Sequence, residues 1–150
     1  MPRIPPVLDD ALGFNLYRVA QLFRTELMRV LADYGFTPEQ WQVMQALWST
    51  DESLTQSDIA HLTVRDRHTV SRMLGRMERD GWITRRTHPD DGRAYVVEAT
   101  AQALAVRDEV RSTLIEHFEG QHGVLACLSP DQTAELMTLL KTLRTHLGDE

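Results

Sequence analysis

One stretch in the middle of the chain carries closely spaced signals for helix starts and stops. Thr55 heads a Thr-Gln-Ser-Asp sequence typical of a capping box, which predicts a short helix through Leu62. Asp66 is suited to cap a second, longer helix that stops at Gly81. A short helix and a longer one, joined by a tight turn, have the outline of a helix-turn-helix.

The pattern changes to that of β-strands directly after these two helices. Residues 82–87 and 94–98 are rich in β-branched and aromatic side chains. The Pro-Asp-Asp-Gly sequence that begins at Pro89 lies between them and favours a turn. We therefore predict a β-hairpin, the wing of a winged helix-turn-helix.

Long amphipathic helices are predicted on both sides of this unit. Apolar side chains recur at three- and four-residue steps from Leu12 to Tyr34, and Gly35 ends the pattern. Thr37 caps a further helix, helical patterns resume after Thr100, and Ser129 caps a final helix. The fold class is therefore mainly α with a small β-hairpin wing.

Composition limits the classes of protein to which the chain can belong. Its 150 residues, 42% of them hydrophobic, fit one folded domain. No apolar run approaches the roughly 18 residues of a membrane helix, and no secretory signal follows the N-terminus. The single cysteine, Cys127, excludes an intrachain disulfide. We therefore expect a cytoplasmic protein without membrane contact.

Charge is distributed unevenly along the chain. The net charge is −6, which by itself disfavours a nucleic-acid partner. Residues 55–100, however, carry eight arginines against seven acidic residues, so that this segment is net positive. Seven of the eight arginines lie on the longer helix or on the hairpin, and Arg65 directly precedes the helix cap, as expected for a surface that binds phosphates and guanine edges.

The longer helix has one basic face and one apolar face. Val70, Met73, Leu74 and Met77 form the apolar face. Side chains near the helix start are predicted to reach base edges: Arg67, His68, Thr69 and Arg72. Ser71, Arg76 and Arg79 lie further along the helix and are predicted to contact phosphates. Arg65 and Arg86 are also predicted to bind DNA. The alternative for this face is an ordinary solvated helix surface.

The hairpin and the end of the longer helix resemble the MarR family of bacterial transcription regulators. The segment from Asp91 to Thr100 is similar to the family's wing signature, an Asp-x-Arg followed six residues later by a Leu-Thr pair. Ala99 stands where the family usually has Leu. Residues 69–83 resemble the family's recognition helix and its Leu-Glu-x-x-Gly-Leu-Ile ending. The resemblance covers essentially the whole chain.

The resemblance implies a function and an assembly. Arg93 would be the wing-tip arginine that enters the minor groove, with Asp91 holding it in place. A single domain, residues 1–150, would comprise a DNA-binding region of about 37–100 between dimerisation helices of about 10–34 and 101–147. The protein would be a ligand-responsive repressor, binding a pseudo-palindromic operator in double-stranded DNA as a homodimer.

The resemblance also implies a small aromatic or lipophilic effector, with no cofactor. The candidate pocket residues are Phe14, Tyr17, Trp41, Met44 and Trp48, and their alternative role is plain core.

Four other classes of protein compete with DNA binding. Enzymatic activity is disfavoured because Gly-rich phosphate loops, Gly-x-Ser-x-Gly and His-Glu-x-x-His are absent from the sequence. A metal site would have to use His117, His122 and Cys127, whose spacing is unsuited to one helix face. A redox sensor would use Cys127, but its apolar neighbours Ala126 and Leu128 favour an unreactive thiol. The arginine pattern disfavours a purely structural protein.

Overall fold

The computed structural model describes residues 3–50 and 52–149. The chain divides into two compact units, with the boundary between Val110 and Arg111 inside a helix. In chain order the elements are α1 (Pro6–Asp9), α2 (Leu12–Leu31), a 3-10 turn (Ala32–Tyr34), α3 (Pro38–Ser49), β1 (Leu54–Thr55), α4 (Gln56–Thr63), α5 (Arg67–Arg79), β2 (Ile83–Thr87), β3 (Tyr95–Ala99), α6 (Ala101–Glu119) and α7 (Pro130–His146).

The predicted capping signals are confirmed. Thr37, Thr55 and Ser129 each cap a helix through a reciprocal capping box. Asp66 caps α5 by accepting the backbone N–H of Thr69. Each of the three capping boxes stabilises its helix by about 1 kcal/mol, because it satisfies amide donors that have no partner within the helix.

Glycine ends the first long helix where the pattern predicted. Gly35 adopts a left-handed conformation with φ of +77°, which only glycine takes without strain. The α-helical part of the predicted Leu12–Tyr34 segment stops at Leu31, and a 3-10 turn covers its last three residues. The short helix α1 was not predicted.

The hairpin is confirmed and gains a third strand. β2 and β3 pair antiparallel, with Arg85 opposite Val97. β1, which was not predicted, pairs with the other edge of β3, with Leu54 opposite Val97. The resulting strand order, β1-β3-β2, attaches the wing to the start of α4, because Thr55 both ends β1 and caps that helix.

The core of the first unit lies between α3, α5 and the sheet. Val70, Leu74 and Met77 of α5 are fully buried, as predicted, whereas Met73 is only half-buried. Burying a large apolar side chain contributes about 1.5–3 kcal/mol, so these contacts fix α5 firmly. The remaining core of this unit is formed by Leu31, Phe36, Trp41, Val43, Met44, Leu47, Trp48, Ile59, Ile83, Val96, Val97, Ala103 and Val110.

The terminal helices have a different pattern of burial. Only Leu31 is buried in α2, and no residue is buried in α7. Apolar side chains of α2 face solvent: Leu12, Leu16, Tyr17, Val19, Leu22 and Phe23. Those of α7 do so too: Leu136, Met137, Leu139, Leu140 and Leu143. Each helix therefore presents an apolar face that its own unit leaves open.

Candidate nucleic-acid interface

The candidate interface begins at the turn between α4 and α5. Val64 ends α4 in the left-handed conformation, with φ of +52°, and two residues later Asp66 caps α5. The carboxylate of Asp66 accepts hydrogen bonds from the backbone N–H of Thr69 at 2.9 Å and from its hydroxyl at 2.8 Å. These bonds hold the pKa of Asp66 below its usual range, so the cap carries a negative charge at neutral pH.

The polar face of α5 is open to solvent. Its exposed side chains include Arg67, His68, Ser71, Arg72, Arg76 and Arg79, while Thr69 is half-buried. The fully buried Val70, Leu74 and Met77 occupy the opposite side of the helix. The helix is therefore anchored on one side and presents a row of basic side chains on the other.

A groove of about 530 Å³ separates the start of α5 from the wing. Arg67 lines it from the helix, and Asp91 and Arg93 line it from the wing. Gln56 and Ser57, in the first turn of α4, also line it and were not predicted as site residues. Their position at a capped helix start was the available signal, because the amides of such a turn favour anions.

A second groove, of about 420 Å³, lies on the other side of α5. Predicted residues Arg65, Thr69, Arg72 and Arg76 line it together with Arg24, Thr37, Glu39, Gln40 and Met73. The structure thus brings seven of the predicted DNA-contact residues to the borders of two grooves that flank one helix. The other four, His68, Ser71, Arg79 and Arg86, are exposed outside them.

Glu39 forms an ion-pair cluster within the second groove. Its carboxylate accepts from Arg24 at 3.1 and 3.2 Å and from Arg65 at 3.2 Å. Partial burial raises the pKa of Glu39, but its backbone amide and the two arginines outweigh this effect and lower it. Arg65 is therefore held by a carboxylate in the free protein, and sequence reasoning did not identify Arg24 or Glu39.

The wing tip has the turn that its sequence predicted. The Asp91 side chain accepts the backbone N–H of Arg93 at 3.0 Å, and the Asp91 carbonyl accepts that of Ala94 at 3.0 Å. Asp91 therefore shapes the backbone that carries Arg93. The Arg93 side chain is exposed.

The two arginines of β2 have different surroundings. Arg86 is half-exposed and pairs with Glu98 of β3, with 2.9 Å between Nη2 and Oε1. Arg85 is only 22% exposed and contacts Glu78 of α5. Only Arg86 therefore lies on the outer face of the hairpin.

Comparisons with known proteins identify the family. The sequence model of the MarR family matches residues 34–94. The transcriptional activatory protein BadR of Rhodopseudomonas palustris is 30% identical over 139 residues, which cover 91% of this chain and 78% of BadR. The chain belongs to the MarR family.

Other MarR-type regulators are similar over most of the chain. PecS of Dickeya dadantii, an HTH-type transcriptional regulator, is 24% identical over 89% of this chain and 80% of its own length. The fold matches that of the repressor CouR, solved on a 23-mer DNA duplex, with a TM-score of 0.85, 22% identity and coverage of 95% and 99% of the two chains. The protein is a DNA-binding transcription regulator and not an enzyme.

The MarR-family pocket candidates fall into two groups in this structure. Trp41, Met44 and Trp48 belong to the buried core, and the Trp41 and Trp48 rings lie 5.7 Å apart. Phe14 is half-buried under the guanidinium of Arg18, and Tyr17 is 70% exposed. Neither of the two grooves around α5 includes any of these five residues.

Cys127 is the one candidate residue whose surroundings differ from expectation. Its apolar sequence neighbours favoured an unreactive thiol in an apolar setting, but the side chain is exposed, with Sγ 3.8 Å from the Val124 carbonyl. The apolar setting is not observed because Ala126 is itself exposed and Leu128 is only half-buried. The unreactive thiol stays a prediction. Among the described residues, His, Cys, Asp and Glu do not cluster as a metal site, and no helix is long and apolar enough to cross a membrane.

Proposed function

We propose that the protein binds a pseudo-palindromic operator in double-stranded DNA as a homodimer. The observation that supports this most strongly is the alignment of exposed arginines along α5, flanked by the wing arginine Arg93 across one groove. In helix-turn-helix proteins the second helix enters the major groove and its first residues reach base edges. The local positive charge supports the same role in a chain that is acidic overall.

We assign base reading to the start of α5. Arg67 and Arg72 are exposed within its first two turns, where a guanidinium can donate two hydrogen bonds to one guanine. His68 and Thr69 complete this group. Backbone contacts are assigned to Arg65, Ser71, Arg76, Arg79 and Arg86, which position the protein without reading sequence.

The wing is assigned to the minor groove. Asp91 fixes the turn, and the exposed Arg93 extends from it. Narrow A·T-rich minor grooves concentrate negative potential and attract arginine. We therefore propose that Arg93 senses groove width beside the sequence that α5 reads.

The open apolar faces of α2 and α7 support a homodimer. Tyr17, Val19 and Leu22 on α2, and Met137 and Leu139 on α7, are each more than half exposed. Apolar faces of this extent usually mark an interaction surface. A second copy of the chain is the proposed occupant, and two-fold symmetry would give the paired half-sites that the operator requires.

Regulation by a small aromatic or lipophilic effector is part of the proposal, with no cofactor. Phe14 and Tyr17 are the accessible members of the candidate pocket. We propose repression as the output, although the relatives include an activatory protein as well as a repressor. A regulator that reads genomic DNA would work in the bacterial cytoplasm.

The proposal is tested by selecting bound fragments from the source genome and reading the shared site. We expect a two-fold symmetric sequence with half-site centres about one helical turn apart. Light scattering should give a dimer in solution. A monomer that binds a single half-site tightly would refute the proposed assembly, and the genes beside the selected sites indicate which aromatic compounds to test as effectors.

A further inference from the structure

Among the arginines of residues 65–93, Arg85 alone is not exposed. Its side chain is 22% exposed, against 52% for its neighbour Arg86 and 50% for Arg65. Adjacent residues of a strand point to opposite faces of the sheet. Arg86 therefore lies on the outer face, and Arg85 faces the helices.

The guanidinium of Arg85 contacts three other elements. Its Nη2 lies 3.4 Å from Oε1 of Glu78 in α5, and its Nη1 lies 3.4 Å from Oε1 of Gln56 in α4. The Tyr95 ring of β3 has its centre 5.9 Å from Cζ. The backbone N–H of Arg85 also donates to Oε2 of Glu78 at 3.0 Å. Glu78 thus holds both the main chain and the side chain of one wing residue.

Gly75 of α5 lies beside the Arg85 guanidinium. A Cβ atom at Gly75 would have Nη2 of Arg85 as its near neighbour, at 3.8 Å. The guanidinium therefore lies against α5 at a position where the helix has no side chain. The distance of 3.8 Å is an ordinary van der Waals contact, so the guanidinium packs against α5 without requiring glycine at position 75.

We propose that Arg85 is a positioning residue that fixes the wing relative to α5, so that Arg93 and the start of α5 engage the same duplex. The inference rests on the proposed mode of DNA binding. Arg67 and Arg93 face one groove from different elements, and its width depends on the angle between hairpin and helix. Arg85 lies in the middle of β2, and a binding site tolerates displacements of only about 0.5 Å, so the contact of Arg85 with α5 affects where the wing tip lies.

The test is a double-mutant cycle on the full-length protein. The probe is a duplex of roughly 25 base pairs that carries the selected operator with A·T-rich flanks. The cost of Arg93→Ala is measured in three backgrounds: wild type, Arg85→Met and Arg86→Met. Arg86 is the matched control, because it is the adjacent arginine and pairs with Glu98 inside the hairpin.

In wild type, Arg93→Ala should weaken binding about tenfold. In Arg85→Met, the affinity loss caused by Arg93→Ala should fall to about twofold or less, because a wing without the Arg85 contacts no longer holds Arg93 in position on the duplex. In Arg86→Met, the affinity loss caused by Arg93→Ala should remain about tenfold. Arg86→Met by itself should weaken binding only by the loss of one contact to the DNA backbone. If Arg85→Met folds poorly, Glu78→Gln serves as the second background, because it weakens the same ion pair from α5. The affinity loss caused by Arg93→Ala should fall there too.

Arg72→Ala separates a positioning role from general damage. Its cost should be the same in wild type and Arg85→Met, because α5 is fixed by its own buried face. The inference is overturned if Arg93→Ala still weakens binding about tenfold in both Arg85→Met and Glu78→Gln. It is also overturned if the affinity loss caused by Arg72→Ala shrinks in Arg85→Met as much as the loss caused by Arg93→Ala. If neither Arg93→Ala nor Arg72→Ala weakens binding in wild type, the proposed DNA-binding mode itself fails.

Discussion

Helices α5 and α7 are both amphipathic, yet they relate differently to the rest of the chain. The apolar side chains Val70, Leu74 and Met77 of α5 are completely buried. In α7 no residue is buried, and Leu140 and Leu143 are each about 40% exposed. The first pattern is that of a helix completed by its own chain. The second is that of a helix whose apolar face is available to a partner.

This difference separates the part that reads DNA from the part proposed to assemble. A recognition helix must hold its polar side chains in fixed positions, and a core of its own provides that rigidity. A dimerisation helix gains its stability from association, so its contribution depends on protein concentration. Mutations in the two regions are therefore expected to have different signatures.

The largest effect is expected from Leu140→Glu on the open face of α7. A buried, unpaired carboxylate would oppose dimerisation, so the variant should be monomeric at micromolar concentration. Loss of two-site binding should weaken operator affinity by about 10²–10⁴-fold. Light scattering and titration of the selected operator measure both effects. Thr142→Glu, on the opposite side of α7, is the control, and an unchanged dimer in Leu140→Glu would place the interface elsewhere.

The next largest effect is expected from Leu74→Ala in the core beneath α5. The cavity should lower the free energy of unfolding by about 2–5 kcal/mol. The loss should be the same at several protein concentrations, because the side chain is completely buried within its own chain. Denaturant unfolding at each concentration measures it. Arg76→Ala on the exposed face should change stability by less than about 0.5 kcal/mol while weakening DNA binding.

Arg72→Ala and Arg93→Ala should act on binding without unfolding the protein, because both side chains are exposed. Each should cost about 1–3 kcal/mol on the selected operator. Arg72→Ala should relax preference at one base position, and Arg93→Ala should lose affinity chiefly with A·T-rich flanks. Titrations of operator variants at fixed salt, with melting curves, distinguish them. Equal losses with every flank would contradict the minor-groove role of Arg93.

The smallest effect is the pH dependence of the Asp66 cap. Its folded-state pKa is lowered by the hydrogen bonds from Thr69, so its stabilisation is fully present above the ordinary carboxyl pKa of about 4 and is lost as the pH falls through the lowered value. In Asp66→Asn, which keeps an N-cap, this acid loss should be smaller. Urea unfolding between neutral and acidic pH measures the free energy of unfolding of both proteins. If it falls equally with pH in the two proteins, the charge of Asp66 does not contribute to stability.

The sequence by itself determined the elements whose signals are local. Thr37, Thr55, Asp66 and Ser129 cap their helices as predicted, and the hairpin forms around the Pro-Asp-Asp-Gly turn. In each case the interacting groups lie within a few residues along the chain. The buried and open faces of α5 were equally predictable, because helical geometry fixes which residues share a side.

Only the tertiary structure decided the contacts between distant segments. Arg65 contacts Glu39, which lies 26 residues away in sequence, and Arg85 contacts Gln56, which lies 29 residues away. Apart from the alternation of side chains along a strand, no local sequence pattern therefore distinguishes Arg85 from Arg86. The two-residue strand β1 was missed because it exists only through pairing with β3. The open apolar face of α7 was equally undetermined, because a hydrophobic stripe in sequence is the same whether its own chain or a second copy covers it.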